Sequence, residues 1–437
     1  MGLKTFPGGI HGRDNKRYSQ NEPIEIYPLP DKVIIPLSQH IGASAIPIVK
    51  KGAEVKTGQL IAKAGGFVSV PIHSSITGKV TKIGSFPHPT GNMQTAIEVT
   101  RTGDDNWIDL SDNDYTKLGN EEIKERIKAA GICGMGGAGF PTVVKLSPPE
   151  NKKIDTIIIN GVECEPYLTA DHRLMLEHPE DIIKGLKIFM KITGAVKAYI
   201  GIEANKPDAI STMKNITKDE SNINVVGLKL KYPQGAEKQL IYASTKRKVP
   251  NNGGLPMDVG VIVQNVATAI ATYEAVRYQK PLISRVVTVS GKIVNKPKNL
   301  HVRIGTLFSD LLDCCEQTNE EIGKIISGGP MMGFAISTLI TPVTKGSSGL
   351  IVLSKKESIT YKEHACIRCC SCIDVCPMNL LPSKIANDAT YEDWEGAKIA
   401  GAVDCIKCGC CAYVCPSKIK LIQWIDIAKN KINELNL

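Results

Sequence analysis

The sequence predicts a multidomain chain of mixed α/β and α+β type, and three observations predict it. With 437 residues the chain is too long for one hydrophobic core and should divide into roughly three to five domains. Along it, short β-type runs broken by glycine give way to alternating strand and helix signals, then to short strands again. Two matching cysteine runs lie near the end.

Those runs are Cys366, Cys369, Cys372, Cys376-Pro377 and Cys405, Cys408, Cys411, Cys415-Pro416, both reading C-x2-C-x2-C-x3-C-P. With this spacing bacterial ferredoxins hold [4Fe-4S] clusters on thiolates, the fourth cysteine of each run serving the other run's cluster. One cluster is therefore assigned to Cys366, Cys369, Cys372 and Cys415, and the second to Cys405, Cys408, Cys411 and Cys376. The crossing ligands tie both halves into one ferredoxin-like helical domain. Structural zinc calls instead for C-x2-C pairs separated by a longer spacer. Cys370 and Cys410 are off the pattern and are expected as packed thiols.

Composition narrows the function. A net charge of +9, from 53 basic and 44 acidic side chains, suits acidic protein partners or an anionic membrane surface. No long basic run occurs, so nucleic acid is not expected as a partner. No apolar stretch approaches the roughly 18 residues that span a bilayer, and the start has no signal-peptide hydrophobic region, so a soluble chain is expected. Fourteen cysteines, eight of them in the cluster motifs, agree with a reducing compartment.

In chain order, residues 1–31 are rich in Pro, Gly and polar groups and predict an extended arm. Residues 32–100 carry the runs Val33-Ile34-Ile35, Ala45 to Val49 and Gln59 to Ala62 between glycines. The stretch from Lys51 to Ile61 resembles the barrel-sandwich fold of lipoyl and biotinyl carrier domains. Their modified lysine sits in an Asp-Lys-Ala or Met-Lys-Met hairpin that is missing here, although Lys63 is near, so a structural barrel without cofactor is expected.

A helical run, Glu121 to Lys128, leads into Gly131-Ile-Cys-Gly134-Met-Gly136-Gly137-Ala-Gly139-Phe140-Pro141-Thr142-Val-Val-Lys145. A dinucleotide fingerprint follows a strand, whereas this G-x-G-x-x-G follows a helix, which disfavours an ordinary Rossmann site. Positions without side chains still let backbone approach a phosphate or flavin ring, and Lys145 supplies a cation; the alternative is a tight turn with no ligand.

Beyond the loop, Ile154 to Asn160 predicts a buried strand followed by Gly161-Val162-Glu163-Cys164-Glu165. A helix near Asp181 to Lys191 and a strand over Ala198 to Ile202 complete an α/β unit, whose crevice lies just past the strand ends. Glu163 and Glu165, two apart, would share a side if the chain were extended; solvated surface carboxylates are the plainer alternative. Tyr232 to Glu237 opens a helix, and Val261 to Thr268 is expected to start another. From Arg285 to Leu353 short strands return, with a helix around Thr306 to Cys314 and a second glycine cluster at Gly328 to Gly333. A polar linker follows at Ser354 to Glu363. Leu421, Ile422, Ile425, Ala428, Ile432 and Leu435 recur at helical spacing, as in a packing or docking helix.

Two motifs and their order carry a family resemblance. The run from Gly134 to Lys145, followed by Asn160-Gly-Val-Glu163-Cys-Glu165, is similar to the FMN- and NADH-binding subunit of respiratory complex I. The arm Phe6-Pro7-Gly8-Gly9-Ile10-His11, the carrier-like barrel with Ile72-His73-Ser74-Ser75, this flavin module, a β-grasp segment and the cysteine runs follow in one order. That order resembles the RnfC component of the Rnf ion-translocating electron-transport complex over essentially the whole chain. The resemblance implies a barrel-sandwich domain at 32–100, a Rossmann-like FMN/NADH domain at 118–284, a β-grasp domain of the soluble-ligand-binding type at 285–353, and the ferredoxin-like domain at 354–437. It implies that Gly134, Gly136, Gly137, Gly139 and Lys145 bind FMN and its phosphate and that Phe140 stacks on the nucleotide. Asn160, Glu163, Glu165, Tyr232, Gly235, Glu237 and Asn265 would line the flavin and NADH pocket. The sequence departs from the complex I pattern at Met135 (arginine there), Val162 (aspartate), Cys164 (serine) and Ala236 (glutamate).

The implied protein is a peripheral subunit on the cytoplasmic side of the cell membrane. It would pass electrons between NAD(H), FMN and two [4Fe-4S] clusters, with membrane Rnf subunits as partners and ferredoxin reached through another subunit. Ion pumping would belong to the membrane partners. No side chain is needed as a general acid or base, because hydride transfer is carried by FMN and NADH. Two other readings stay open: a soluble FMN/iron-sulfur reductase, such as a cobalamin reductase or the electron donor of an amino-acid reductase, and a non-enzymatic electron-transfer adaptor.

Overall fold

The computed structural model describes residues 2–137 and 139–437. Its N-terminal barrel-sandwich consists of two antiparallel sheets. One has the order Lys32–Pro36, Met93–Arg101, Gly78–Pro87, Glu54–Val55, and the other Ile46–Pro47, Leu60–Lys63, Ile72–His73. Alternation along the strands turns Val33, Ile35, Ile61, Ile72, Val80, Ile97 and Val99 into a shared core. Lys63 pairs with Ile46 inside a strand and is not displayed on a hairpin tip.

The flavin-type domain is built on four parallel strands in the order Ile223–Leu228, Lys197–Glu203, Thr156–Asn160, Val261–Asn265. Helices cover both faces, so the central Ile157-Ile158-Ile159 run is buried on each side. The expected helix over Val261 to Thr268 is corrected: Val261–Asn265 is an edge strand, and the helix is Val266–Tyr278. The β-branched Val-Ile-Val run pairs with the central strand. Asn265 then caps the helix, its Oδ1 accepting from the Ala267 amide at 2.9 Å.

The third unit has a six-stranded mixed sheet, in the order Ile24–Ile26, Lys298–Arg303, Ser284–Ser290, Gly349–Ser354, Ile322–Ser327, Phe334–Ile336, with the helix Phe308–Cys314 in its core. Its edge strand comes from the N-terminal arm, which is thus more than an extended arm. Ile24 to Ile26 pair in parallel with Asn299 to His301. Upstream, the arm forms bridges from Lys4 to Leu228 and from Ile10 to Tyr232 of the flavin-type domain.

In the C-terminal domain the two cysteine runs have matching backbones. Arg368 and Lys407, Cys370 and Gly409, and Asn379 and Lys418 stand at equivalent positions with positive φ. The amides of Arg368 and Lys407 donate to the first sulfur of each run, Cys366 and Cys405, both at 3.4 Å. The terminal helix Leu421–Glu434 turns Leu421, Ile425, Ala428 and Ile432 inward against Pro382–Thr390 and Trp394–Ile399. It is a packing helix of this domain.

One close approach fixes the helical layer of the flavin-type domain. Gly185, in the helix Pro179–Thr193, lies so near the helix Val266–Tyr278 that a Cβ would stand 2.1 Å from the Ala269 carbonyl oxygen. Backbone cannot yield there, so Gly185→Ala is expected to separate the helices and cost about 1 to 3 kcal/mol. Urea denaturation checks this; unchanged stability would contradict the crossing.

Candidate flavin site and thiol centres

The glycine loop leaves the helix Asn120–Ala129 and closes on itself. The Gly134 amide donates to the Phe140 carbonyl at 2.9 Å, and Thr142 to Ile132 at 3.0 Å. Its middle lies over the start of the helix Val266–Tyr278: the Met135 amide donates to Thr268 Oγ1 at 2.9 Å. A Cβ on Gly136 would come within 2.7 Å of the Asn265 side chain, whereas one on Gly137 would meet nothing within 4 Å among the described residues. Gly136 is thus required for packing against Asn265, while Gly137 faces open space. Gly139 has φ +64 and its carbonyl accepts from Ile41 of the barrel at 3.1 Å. Phe140 is half-buried.

Most of the other predicted residues gather at the carboxyl end of the parallel sheet. Asn160 Nδ2 donates to the Gly235 carbonyl at 2.8 Å, and Asn265 Nδ2 to Asp171 Oδ2 at 2.7 Å. Lys145 is not a free cation: its Nζ lies 2.5 Å from Glu237 Oε1. The two glutamates expected to share a side diverge, because Glu163 has φ +47. Glu163 accepts from the Asp171 amide at 2.7 Å, and Glu165 takes the amides of Met331 and Met332 at 3.0 and 2.8 Å from the second glycine cluster. Neither is a solvated surface carboxylate: the Glu163 side chain is 5% exposed, and burial pushes the Glu165 carboxyl up to about 7.

Sequence reasoning missed the charges beneath this crevice. Lys16, from the arm, is fully buried; its Nζ donates to the Glu165 and Leu168 carbonyls and lies 3.8 Å from Glu163 Oε2. Lys206, also buried, donates to the Val162 carbonyl at 2.8 Å and lies 3.7 Å from Glu203. Burial lowers the Lys206 pKa and raises that of Glu203. Asp171 is pushed up to about 7 by burial and by Glu163. Lys206 follows a parallel strand by a few residues, the rule that singled out Glu163, and could have been found that way; nothing in the arm marked Lys16.

Glu163 Oε2, the Tyr232 hydroxyl and both polar atoms of the Gln234 side chain are buried without a hydrogen-bond partner among the described residues. A ligand rich in hydrogen-bonding groups would satisfy them, so the crevice fits a flavin nucleotide.

The second cysteine set surrounds a void. Cys376, Cys405, Cys408 and Cys411 line one cavity, walled by Pro377, Met378, Leu380, Ile422 and Ile425. Cys376 from the first run thus shares this cavity with Cys405, Cys408 and Cys411 and with the off-pattern Cys410, and the apolar wall suits a cluster shielded from water. Around the other set, the His364 amide donates to the Ser417 carbonyl at 2.9 Å, and Ser417 Oγ to the Ala365 carbonyl at 2.8 Å. These bonds bring the chain before Cys366 beside the chain after Cys415. Cys366 and Cys369 are exposed and Cys415 is buried. No three His, Cys, Asp or Glu side chains among the described residues are grouped to hold a single metal ion. Cys410 is a packed thiol, as expected, donating to the Tyr232 carbonyl at 3.8 Å. Cys370 is a correction: it is exposed, with φ +61 where the second run has Gly409.

The two centres meet at Tyr232, whose ring packs with Ile10, Cys408 and Cys410, flanked by Cys164 and Met331. Gln239 Nε2 donates to the Pro377 carbonyl at 3.0 Å, and the Gly9 amide to Val375 at 2.8 Å.

Residues 4–104 match the RnfC barrel sandwich hybrid domain, 127–274 the Nuo51 FMN-binding domain, 286–335 the SLBB domain and 358–416 the 4Fe-4S dicluster domain. The chain is 50% identical, over 98% of its length and 94% of the relative's, to the C subunit of the proton-translocating ferredoxin:NAD(+) oxidoreductase complex of Clostridium ljungdahlii. This chain belongs to the RnfC family. Another relative, the C subunit of the Na(+)-translocating ferredoxin:NAD(+) oxidoreductase complex of Acetobacterium woodii, is 43% identical over 98% of this chain and 97% of its own. Among solved structures, an NAD+-reducing [NiFe]-hydrogenase in the H2-reduced state shares the fold at TM-score 0.50 and 16% identity, covering 72% of this chain and 63% of that one.

In this RnfC protein the FMN-binding and dicluster domains therefore lie against each other through Tyr232. No helix among the described residues is long and apolar enough to cross a membrane. The SLBB domain reaches the crevice through its Met331 and Met332 amides on Glu165. Glu165→Ala is expected to strand those amides and cost about 1 to 3 kcal/mol, with faster hydrogen exchange at Met331 and Met332. The native Glu165 carboxyl, raised from 4.5 to about 7, binds a proton more tightly than the unfolded one. Its contribution to stability is therefore full below about 4.5 and lost as pH rises through about 7. The variant should lose that slope in pH-dependent urea denaturation.

Proposed function

We infer that this chain is the NAD(H)-oxidising or NAD-reducing peripheral subunit of a membrane-bound, ion-translocating ferredoxin:NAD(+) oxidoreductase complex. It passes electrons between NAD(H), FMN and two [4Fe-4S] clusters. The observation that carries this reading is the order of the two centres. One thiol set is buried against Tyr232 at the flavin crevice, and the other opens to the surface at Cys366 and Cys369. That order leads inward from the crevice to a shielded cluster and outward to a partner.

FMN, when bound, exchanges a hydride with NAD(H) and single electrons with the clusters, chemistry that the cofactor brings with it. The protein binds, orients and excludes water. Gly134, Gly136, Gly137 and Gly139 give a loop that a flavin can approach closely, with Phe140 placed to stack on a nucleotide ring. Lys145, steered by Glu237, presents an ammonium toward the phosphate. Asn160, Gly235, Asn265, Tyr232, Glu163 and Glu165 define the rest of the pocket. Cys366, Cys369, Cys372 and Cys415 hold the outer cluster, and Cys405, Cys408, Cys411 and Cys376 the inner one. Membrane subunits of the complex are the proposed partners, with ferredoxin reached through another subunit, and the chain is placed peripherally at the cytoplasmic face of the membrane.

The test uses the full chain reconstituted with iron, sulfide and FMN. About eight iron atoms per chain are expected, and NADH should bleach the flavin absorbance. Cys376→Ser should damage the cluster held by Cys405, Cys408 and Cys411 and leave the signal of the other. No flavin bleaching by NADH would overturn the enzyme reading, and loss confined to the cluster of Cys366, Cys369 and Cys372 would overturn the crossed ligand sets.

A further inference from the structure

Two cations of the third, six-stranded unit are buried behind the glycine loop. Arg285 is 4% exposed and Lys345 is 1% exposed. Lys345 Nζ donates to the Gly131 carbonyl at 2.7 Å, at the foot of the loop, and to the Pro71 carbonyl of the barrel at 3.1 Å. Arg285 donates to the Lys345 carbonyl, and its Nη2 reaches the Met135 carbonyl inside the loop at 3.4 Å. Neither forms an ion pair among the described residues; every hydrogen bond their side chains make goes to a backbone carbonyl. The ionisable groups near them are the buried Cys133 thiol, His40 and His73 beside Lys345, and Asp171 beside Arg285.

A buried cation without a carboxylate partner is costly. The cost is visible in the two groups: burial lowers Lys345 to about 8 and Arg285 to about 10. A purely structural staple could be made from uncharged donors, so the charge itself calls for an anion on the open side of the loop. Lys145 shares its charge with Glu237 and so supplies only part of the field a phosphate would need. Resting on the flavin reading above, we propose that Arg285 and Lys345 are positioning residues that give the glycine loop a fixed positive field, selecting phosphorylated FMN over riboflavin. The six-stranded domain then acts as the electrostatic backing of a site whose loop belongs to its neighbour.

The experiment measures FMN and riboflavin dissociation constants by flavin fluorescence for the full chain and for Lys345→Gln and Arg285→Gln. Each variant keeps an N–H donor and removes the charge. Thermal unfolding without flavin reports whether each remains folded. FMN affinity should fall about 10-fold, while riboflavin affinity changes less than about threefold. Equal losses for both flavins would mean mechanical support of the loop only and would overturn the proposal, as would unchanged FMN affinity in either folded variant. A wild-type chain that binds neither flavin would sink the flavin reading itself, an outcome separate from an unchanged ratio.

Discussion

Electrons pass between prosthetic groups only where the protein holds those groups close together, and here that constraint falls on the packing around Tyr232. In the proposed reading the flavin crevice ends at this residue. Its backbone pairs with Ile10 of the arm, its carbonyl receives the Cys410 thiol, and its ring packs beside Cys408. The arm is held in the same seam by two glycines: a Cβ on Gly8 would come within 2.8 Å of the Cys376 carbonyl oxygen, and one on Gly9 within 2.6 Å of the Tyr232 carbonyl oxygen. Both have positive φ, which glycine tolerates at no steric cost. The Phe-Pro-Gly-Gly-Ile-His arm is therefore a clamp between the flavin-type and dicluster domains.

A second dependency runs through buried charge. Lys16, Glu163, Glu203, Lys206 and Asp171 form a polar layer beneath the crevice, and Arg285 and Lys345 a cationic one behind the glycine loop. Groups of this kind oppose folding unless paired or used, and they are concentrated where a nucleotide would bind. The arm and two domains supply them: the arm gives Lys16, the parallel-sheet domain the carboxylates and Lys206, the six-stranded domain Arg285 and Lys345. The site thus belongs to the assembled chain and not to its flavin-type domain alone.

Much of this was legible in the sequence, for reasons that differ by residue. The cysteine runs carry their chemistry in their spacing, and residues 358–416 match a 4Fe-4S dicluster domain; the crossed ligand sets are proposed, with Cys376 lining one cavity with Cys405, Cys408, Cys410 and Cys411 as the supporting observation. Ile157 to Ile159 announced a strand because a parallel sheet buries both faces. The Val261 run was harder: a short apolar stretch with a helix close behind gives no period of its own, and only pairing with the central strand decided it. Glu163 and Glu165 could not be placed by alternation, since a positive φ at Glu163 breaks it. Lys16, Arg285 and Lys345 were illegible for another reason. Each is a basic residue in an ordinary polar or mixed segment, and its role arises from contacts across domains that local pattern does not encode.

The most direct test of this arrangement follows electrons by EPR after NADH is added to the reconstituted chain, comparing wild type with Cys408→Ser and Cys369→Ser. If the buried centre beside Tyr232 stands between the flavin and the surface, Cys369→Ser leaves the buried cluster reducible by NADH. Cys408→Ser should stop reduction of the outer cluster by NADH while dithionite still reduces it. Reduction of the outer cluster by NADH at the wild-type rate in Cys408→Ser would contradict the account.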